Sequence, residues 1–156
     1  MPHPEPRFTI RPATLADAQE LSLLFDQYRV FYEQASDLAA AQTFVTEQIR
    51  NAATRFFLAA RGTQPDLLAF VHLIPSVSTL HMRPMWYLED LFVIPSARRQ
   101  GVARDLMLYA EQFARDTKAE RLTLATAHDN HAAQALYLSL GYVREDHFWY
   151  FHRLLP

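Results

Sequence analysis

The stretch Leu88–Arg104, LEDLFVIPSARRQGVAR, decides the fold, because it predicts a buried strand, a basic turn and a helix in immediate succession. Its first part is a nearly continuous apolar run, which is typical of a strand covered on both faces. Pro95 ends that strand, since proline has no N–H to donate to a ladder. From Val102 onward, apolar residues recur at three- and four-residue spacings, which predicts an amphipathic helix with Gly101 at its N-terminus.

The start of this helix is a candidate anion-binding site. The first N–H groups of a helix lack internal partners, and the helix dipole makes that end partly positive. Gly101 leaves room for a phosphate beside the backbone, and the small Ala103 avoids a clash. Positive charge comes from Arg98, Arg99 and Arg104. These features predict a diphosphate site; the alternative is an ordinary helix start with solvated arginines. The spacing fits neither GxGxxG nor GxxxxGK[ST], which argues against a dinucleotide-binding fold or a P-loop.

Size and composition predict a single domain over residues 1–156, with 50% hydrophobic residues to supply a core. The formal charge of −2, with interspersed signs, gives no reason to expect a nucleic-acid or membrane partner. No apolar run approaches the roughly 18 residues of a membrane span. The first residues contain no hydrophobic signal region, so a cytoplasmic location is expected.

Periodicity and turn residues predict the other elements. In chain order these are a strand at 8–11, a helix capped by Thr14, a helix capped by Ser36 or Asp37, strands at 55–61, 67–74 and 85–94, a helix at 101–118, a strand at 121–127, a helix capped by Asn130, and one or two closing strands within 143–153. Residues 1–6 are expected to be a frayed lead-in, 62–66 a hairpin turn and 75–84 a connection. The strand–helix–strand unit beginning at residue 85 implies parallel pairing.

Two signatures in this order carry a family resemblance. Arg98-x-x-Gly101-x-Ala103 after a strand, followed by NHAAQALYLSLGY at 130–142, resembles the GNAT superfamily of acetyl-CoA-dependent N-acetyltransferases. That family's phosphate loop reads [RQ]-x-x-G-x-[GA]; its second signature has an asparagine that opens a helix and a tyrosine about two turns later, as Asn130 and Tyr137 do. The run LEDLFV is also similar to the diamine and polyamine acetyltransferase branch.

The resemblance implies a mixed α/β (α+β) fold of order β-α-α-β-β-β-α-β-α-β, whose parallel central strands splay apart beside the phosphate loop. The slot between them would take the pantetheine arm of acetyl-CoA, the expected co-substrate. The residues expected to hold this co-substrate are Leu91, Phe92, Val93, Arg98, Arg99, Gln100, Gly101, Val102, Ala103, Arg104 and Asn130. The alternatives are a fully paired ladder for the strand residues and a helix cap alone for Asn130.

Glu89 and Tyr137 are the expected catalytic residues. An alkylammonium group of pKa near 10.4 lies roughly 4–5 kcal/mol from its nucleophilic neutral form at pH 7, so a base near the acceptor is useful. Glu89 is the candidate base, acting through a water. Asp90 would point to the opposite face of a regular strand, although a bulge would change that. Tyr137 is the candidate acid for the departing thiolate. The alternatives are carboxylates paired with structural arginines and a core tyrosine.

An acceptor pocket is expected against the first two helices, with aromatic rings packing on alkyl stems and carboxylates steering a cation. Its candidate residues are Tyr28, Phe31, Tyr32, Glu33, Asp37 and Asp90. The alternative is core aromatics with solvated charges. The expected reaction is acetyl transfer to a primary amine of a small polyamine-like or amino-sugar molecule. Acetylation of a protein N-terminus or lysine, and a non-catalytic acetyl-CoA sensor, are the alternatives. A homodimer is expected from the C-terminal edge strands and the family habit.

The chain has no cysteine, so it has neither a thiolate metal site nor a cysteinyl acyl-enzyme, and acyl transfer should be direct. His128 and His131 straddle a predicted helix start without an evident third ligand, so no metal is predicted. His72, within a predicted strand, is expected to be satisfied or half-exposed.

Overall fold

The computed structural model describes residues 8–62 and 66–156. Its elements are, in chain order, β1 (Thr9–Pro12), α1 (Ala18–Phe31), α2 (Leu38–Arg50), β2 (Arg55–Arg61), β3 (Asp66–Ser78), β4 (Arg83–Val93), α3 (Val102–Asp116), β5 (Leu122–Leu124) and α4 (His131–Ser139), with short 3₁₀ turns at Leu15–Asp17 and Pro95–Ala97. This mixed α/β architecture confirms the predicted fold class. The predicted lead-in at 1–6 and residues 63–65 of the predicted hairpin turn lie outside the described residues.

The chain forms two compact units, which divide between Ala125 and Thr126. The first contains a five-stranded sheet of order β1-β2-β3-β4-β5. Neighbouring strands are antiparallel except for β4 and β5, which are parallel, as the strand–helix–strand pattern predicts. The parallel ladder runs only from Trp86 opposite Leu122 to Leu88 opposite Leu124. The two central strands therefore part after Leu88, as the resemblance implies.

Each face of the sheet is covered by a different set of helices. Successive aromatic side chains of β2 point to opposite faces and pack against these helices. Phe56 belongs to the core cluster on the α1 and α2 face, together with Phe25 and Phe70. Phe57 faces α3, where its ring lies 5.0 Å from the Tyr109 ring. Full burial of each such side chain contributes about 1.5–3 kcal/mol to folding.

Local hydrogen bonds fix where the first two helices begin. Thr14 and Asp17 form a reciprocal capping box at the 3₁₀ turn before α1. Asp17 also pairs with Arg11, with 2.6 Å between Nη2 and Oδ1. Hydrogen bonds from Arg11 first, and then from Thr14, lower the pKa of Asp17 to about 2. Asp37 rather than Ser36 caps α2, because its Oδ1 accepts a hydrogen bond from the Ala40 N–H at 3.0 Å.

The predicted connection at 75–84 is largely strand, which corrects the sequence interpretation: β3 extends to Ser78 and β4 begins at Arg83. Pro75 is tolerated in β3 because it lies opposite Trp86, whose N–H donates away from it to the Arg121 carbonyl at 3.1 Å. On the other edge of β3, pairing with β2 ends at Leu73. The missing N–H of Pro75 therefore faces no neighbouring strand.

Two other strand predictions differ from the structure. The strand predicted at 121–127 is confined to Leu122–Leu124, because its partner β4 diverges beyond Leu88. The closing strands predicted within 143–153 are wrong: residues 143–156 contain no strand. These residues have side chains of high β-propensity, but a strand also needs a neighbouring strand to pair with. Among the described residues, no helix is long and apolar enough to cross a membrane.

Candidate active site

A β-bulge lies at the centre of β4. Leu88 lies opposite Leu73 and Asp90 opposite His72, so Glu89 has no residue opposite it on β3. The extra residue reverses the side-chain alternation of the strand. Trp86, before the bulge, contacts Phe113 of α3 with 5.1 Å between ring centroids. The bulge thus sends the second part of β4 to the opposite face and leaves the Glu89 side chain exposed.

The backbone after the bulge has a strand partner on one side only. Leu91, Phe92 and Val93 pair with β3, but β5 has no residue opposite them. The predicted alternative of a fully paired ladder for these residues is therefore wrong. Backbone groups on an unpaired edge remain available to a ligand or to water.

The turn that leads into α3 has the geometry expected of an anion site. Gly101 is the N-cap residue with a φ of +85°, a conformation that favours glycine. A Cβ placed on Gly101 would meet no atom of the described residues within 4 Å, so the backbone there borders open space. Arg99, Gln100 and Arg104 are exposed around it. The next two predicted residues belong to the first turn of α3: Val102 is buried and Ala103 is half-buried.

Arg98 has a different environment from the other arginines of the turn. Its Nε donates a hydrogen bond to the Val93 carbonyl at 3.0 Å. Its guanidinium carbon lies 5.6 Å from the Phe31 ring centroid and 5.8 Å from that of Phe92. Arg98 therefore joins the end of β4 to the aromatic end of α1, through a hydrogen bond and cation–π contacts.

The aromatic residues predicted for the acceptor pocket form one cluster, made of Tyr28, Phe31, Tyr32 and Phe92 and named here the aromatic cluster. The Tyr32 ring lies 5.1 Å from both Tyr28 and Phe31, and Phe92 lies 6.3 Å from Tyr28. Phe31 is 53% exposed and Tyr32 42% exposed. These exposed rings are inconsistent with the alternative of purely core aromatics. Glu33, just beyond α1, is exposed as well.

Of the other two predicted acceptor carboxylates, Asp37 is exposed and caps α2, whereas Asp90 is buried. Its Oδ2 lies 3.1 Å from Nδ1 of His72, which is itself buried. Burial first, and then Asp90 and Glu89 among nearby groups, raise the pKa of Tyr28 well above its usual range. His72 was expected to be satisfied or half-exposed; it is fully buried, and its Nε2 has no hydrogen-bond partner within residues 8–62 and 66–156. The bulge, which aligns His72 with Asp90, has no evident signature in the strand pattern.

The second unit carries the remaining predicted residues. Asn130 caps α4, with its side chain accepting a hydrogen bond from the Ala133 N–H at 3.3 Å. Tyr137 lies on the same helix, is 9% exposed, and has its ring centroid 6.0 Å from that of Tyr142. The cap predicted for Asn130 is confirmed, whereas the ligand role of Asn130 and the acid role of Tyr137 stay predictions.

Comparison with known proteins identifies the family. Residues 19–142 match the model of the acetyltransferase (GNAT) family. The chain belongs to the GNAT acetyltransferase family. The protein is therefore an N-acetyltransferase, and the resemblance based on the two signatures is confirmed.

Two relatives of this GNAT acetyltransferase, and the solved structure of another protein, align with most of the chain. The "Uncharacterized N-acetyltransferase YhfO" of Bacillus subtilis is 36% identical over 147 residues, which cover 94% of this chain and 97% of that protein. A thialysine N-epsilon-acetyltransferase of Caenorhabditis elegans is 29% identical, over 87% of this chain and 83% of that protein. The crystal structure of a probable acetyltransferase has a TM-score of 0.89 and 34% identity, over 95% of this chain and 98% of that chain.

Members of the GNAT family use acetyl-CoA, and the turn before α3 fits its diphosphate. Open space borders Gly101, the helix N-terminus points at it, and exposed arginines surround it. Across the described ranges, no group of three or more His, Cys, Asp or Glu residues is arranged to hold a metal ion.

Proposed function

We propose that this GNAT acetyltransferase transfers the acetyl group of acetyl-CoA directly to a primary amine of a small molecule, within a ternary complex. The observation that carries the proposal is the arrangement along β4. The ladder with β5 ends at Leu88, the exposed carboxylate of Glu89 follows, and the unpaired edge of Leu91–Val93 comes next. A base and a strand edge without a partner strand are thereby adjacent in β4, although the Val93 carbonyl on that strand already accepts a hydrogen bond from Arg98.

Two parts of the first unit would hold acetyl-CoA. The diphosphate would bind the backbone at Gly101, Val102 and Ala103, with charge from Arg99 and Arg104. The pantetheine arm would hydrogen-bond the open edge of β4, and Asn130 would add a contact from α4. Gln100 donates from Nε2 to the Ser96 carbonyl at 2.8 Å, so its contribution would be to fix the turn.

The proposed chemistry needs a base and an acid. Glu89, through a water, would take a proton from the acceptor ammonium, and the neutral amine would then attack the thioester carbonyl. A carbon–nitrogen bond forms, the carbon–sulfur bond breaks, and the remaining excess proton of the amine would pass to solvent water. Tyr137 would supply the proton that the departing thiolate takes. A cysteinyl acyl-enzyme is excluded, because the chain has no cysteine, and direct transfer requires no covalent enzyme intermediate.

A small amine suits the surroundings of Glu89. The aromatic cluster presents the exposed Phe31 and Tyr32 rings, which can pack on an alkyl stem. Glu33 and Glu89 supply exposed carboxylates that attract a cation. The relative from Caenorhabditis elegans is named for acetylation of thialysine, which supports an acceptor with an amine on a short chain. Polyamine-like molecules and amino sugars are the proposed classes.

The test is release of coenzyme A thiol from acetyl-CoA by the purified protein, against polyamines, thialysine, aminoglycosides and N-terminal or lysine peptides. Mass spectrometry of the acceptor gives the added acetyl group. Small amines are expected to respond and peptides to remain unmodified. Acetylation of peptides alone would replace the small-molecule acceptor by a protein one, and acetyl-CoA binding without turnover would favour a sensor.

We also propose that the protein is a homodimer, on the basis of its C-terminal segment. Phe148, Trp149, Tyr150 and Phe151 are consecutive and are 71%, 88%, 87% and 94% exposed. Aromatic side chains bury about 150–250 Å² each, so two such segments would bury about 1,200–2,000 Å². A stable interface has that size. The cytoplasmic location stays a prediction.

Sedimentation equilibrium tests this assembly. Wild type is expected to sediment as a dimer, and the Trp149→Glu, Phe151→Glu double variant as a monomer. Leu80→Glu is the matched control, since Leu80 is 85% exposed but lies in the turn between β3 and β4, and it should remain dimeric. A monomeric wild type would contradict the proposal.

A further inference from the structure

The core on the α1 face of the sheet contains a polar pair that the proposed reaction does not use. His72 is 1% exposed and Asp90 7% exposed, and Nδ1 of His72 lies 3.1 Å from Oδ2 of Asp90. In a hydrogen bond between an imidazole and an ionised carboxylate, the imidazole N–H is the donor. Burial, and after it a hydrogen bond with Asp90, raise the pKa of the Tyr28 hydroxyl.

The hydrogen-bonding groups of this pair are incompletely satisfied. Nε2 of His72 is buried and has no hydrogen-bond partner among the described residues. The imidazole stacks on Phe56, with 4.0 Å between ring centroids and 7° between ring planes. A phenylalanine or leucine would fill this space without a desolvated nitrogen, so packing alone does not account for histidine here.

The position of the pair in the sheet indicates its effect. Trp86, before Glu89, packs against Phe113 on the α3 face, and Leu88 shares that face by strand alternation. Phe92, after Glu89, packs with Tyr28 of α1 at 6.3 Å. The alternation reverses at Glu89, and the first residue on the new face is Asp90. Its hydrogen bond to His72 ties that residue across the ladder at the place where the register changes.

We propose that His72 and Asp90 are positioning residues that lock the β4 bulge and thereby hold Glu89 and the open Leu91–Val93 edge in place. This inference rests on the proposed function, in which Glu89 is the base. It also assigns the adjacent carboxylates different tasks: Glu89 is exposed for chemistry, and Asp90 is buried for alignment. Asp90 then acts through its hydrogen bond rather than by binding the acceptor ammonium.

The inference predicts losses of kcat of different size for two substitutions of Asp90. Asp90→Asn keeps an acceptor for His72 Nδ1, so kcat should fall by less than about fivefold. Asp90→Leu keeps the branched shape of the side chain but removes the acceptor, so the misplaced Glu89 should lower kcat by up to about a hundredfold. The KM for the amine should change little in either variant. An Asn variant as slow as the Leu variant, with a raised KM for the amine, would make Asp90 a charge that binds substrate and would overturn the inference.

A double-mutant cycle tests whether the pair acts through Glu89. In a Glu89→Gln background, Asp90→Leu should lower kcat by less than about threefold, because the base that it positions is already absent. The same fold loss in both backgrounds would mean an independent effect and would contradict the proposal. Asp17→Asn is the matched control: Asp17 is a buried, paired carboxylate near α1, and its loss should leave kcat of the folded protein unchanged.

A second variant, with a measurement that does not depend on activity, tests the inference independently of misfolding and of the proposed function. His72→Phe preserves the stack on Phe56 and removes only the cross-strand hydrogen bond. Amide hydrogen exchange at Asp90–Phe92 should then accelerate at least about tenfold, while exchange at Phe57 stays unchanged. Unchanged exchange at Asp90–Phe92 would overturn the inference, whether or not any amine is acetylated. The proposed function fails separately, if wild type acetylates no amine.

Discussion

The two halves of β4 have the same apolar character but different partners. Before the bulge, residues Trp86–Leu88 pair with β3 on one edge and β5 on the other. After it, residues Leu91–Val93 pair with β3 alone. A strand paired on both edges has no backbone group left for a ligand, whereas an open edge does. We therefore propose that the first half of β4 stabilises the fold and that the second half contacts the ligand.

The largest effect on stability is expected from a substitution in the first half of β4. Trp86 is 8% exposed, contacts Phe113, and donates from Nε1 to Thr117 Oγ1 at 2.8 Å. Trp86→Ala should lower the free energy of unfolding by about 3–5 kcal/mol, measured by urea denaturation. Its kcat per folded molecule should stay within about twofold of wild type. A slow but stable variant would break the division between the halves.

The next effect concerns the turn that follows the second half. Gly101→Val places a β-branched side chain at a φ of +85° and in the open space of the proposed diphosphate site. Calorimetry should give at least about a hundredfold weaker acetyl-CoA binding, which is about 2.7 kcal/mol. Gly62→Val is the matched control, because Gly62 also has a positive φ and open space, but lies after β2. Equal loss of affinity in both variants would reject a local phosphate site.

A smaller effect, on acid stability, is expected far from β4. The pKa of Asp17 is lowered to about 2 in the folded protein, so its pairing stabilises the fold above the unfolded pKa, near 4, and is lost as pH falls toward 2. The contribution is about 1–2 kcal/mol at neutral pH, reduced by the partial exposure of Arg11. Denaturation from pH 7 to 2 should show a weaker pH dependence in Asp17→Asn. An identical profile would contradict the assignment.

The smallest expected change in free energy concerns the proposed acid on α4. Tyr137→Phe removes only a hydroxyl, so kcat should fall at least about tenfold, or about 1.4 kcal/mol, while the acetyl-CoA affinity changes little. Stopped-flow thiol release and calorimetry give the two quantities. A kcat equal to that of wild type would exclude Tyr137 as the acid, and another group would have to protonate the departing thiolate.

The sequence predicts the turn before α3 well because local residues determine its structure. Gly101 before an amphipathic run and Asn130 before α4 are short-range signals, and both helices begin where these residues indicate. The bulge is different, since it depends on how Leu73 and His72 register against Leu88 and Asp90 on another strand. Periodicity within one segment contains no cross-strand register, so the partner of His72 could not be predicted.

The same limit explains the errors at strand ends. Pro75 is compatible with β3 only because neither neighbouring strand needs its N–H. This depends on where β2 stops pairing with β3 and on the Trp86 N–H donating to the Arg121 carbonyl. The strand predicted within 143–153 has suitable side chains and no ladder among the described residues. Propensity states which residues can form a strand, and the availability of a partner decides whether they do.

The pH dependence of kcat for wild type and Glu89→Gln, with an amine acceptor identified by thiol release, tests most directly whether the second half of β4 carries the reaction. Glu89→Gln should leave the melting temperature nearly unchanged and lower kcat at least about tenfold at pH 7. The loss should be greatest at low pH and should diminish as pH approaches the amine pKa, near 10, where the acceptor needs no base. A ratio of rates that stays near one at every pH would show that Glu89 is not the base and would contradict the account.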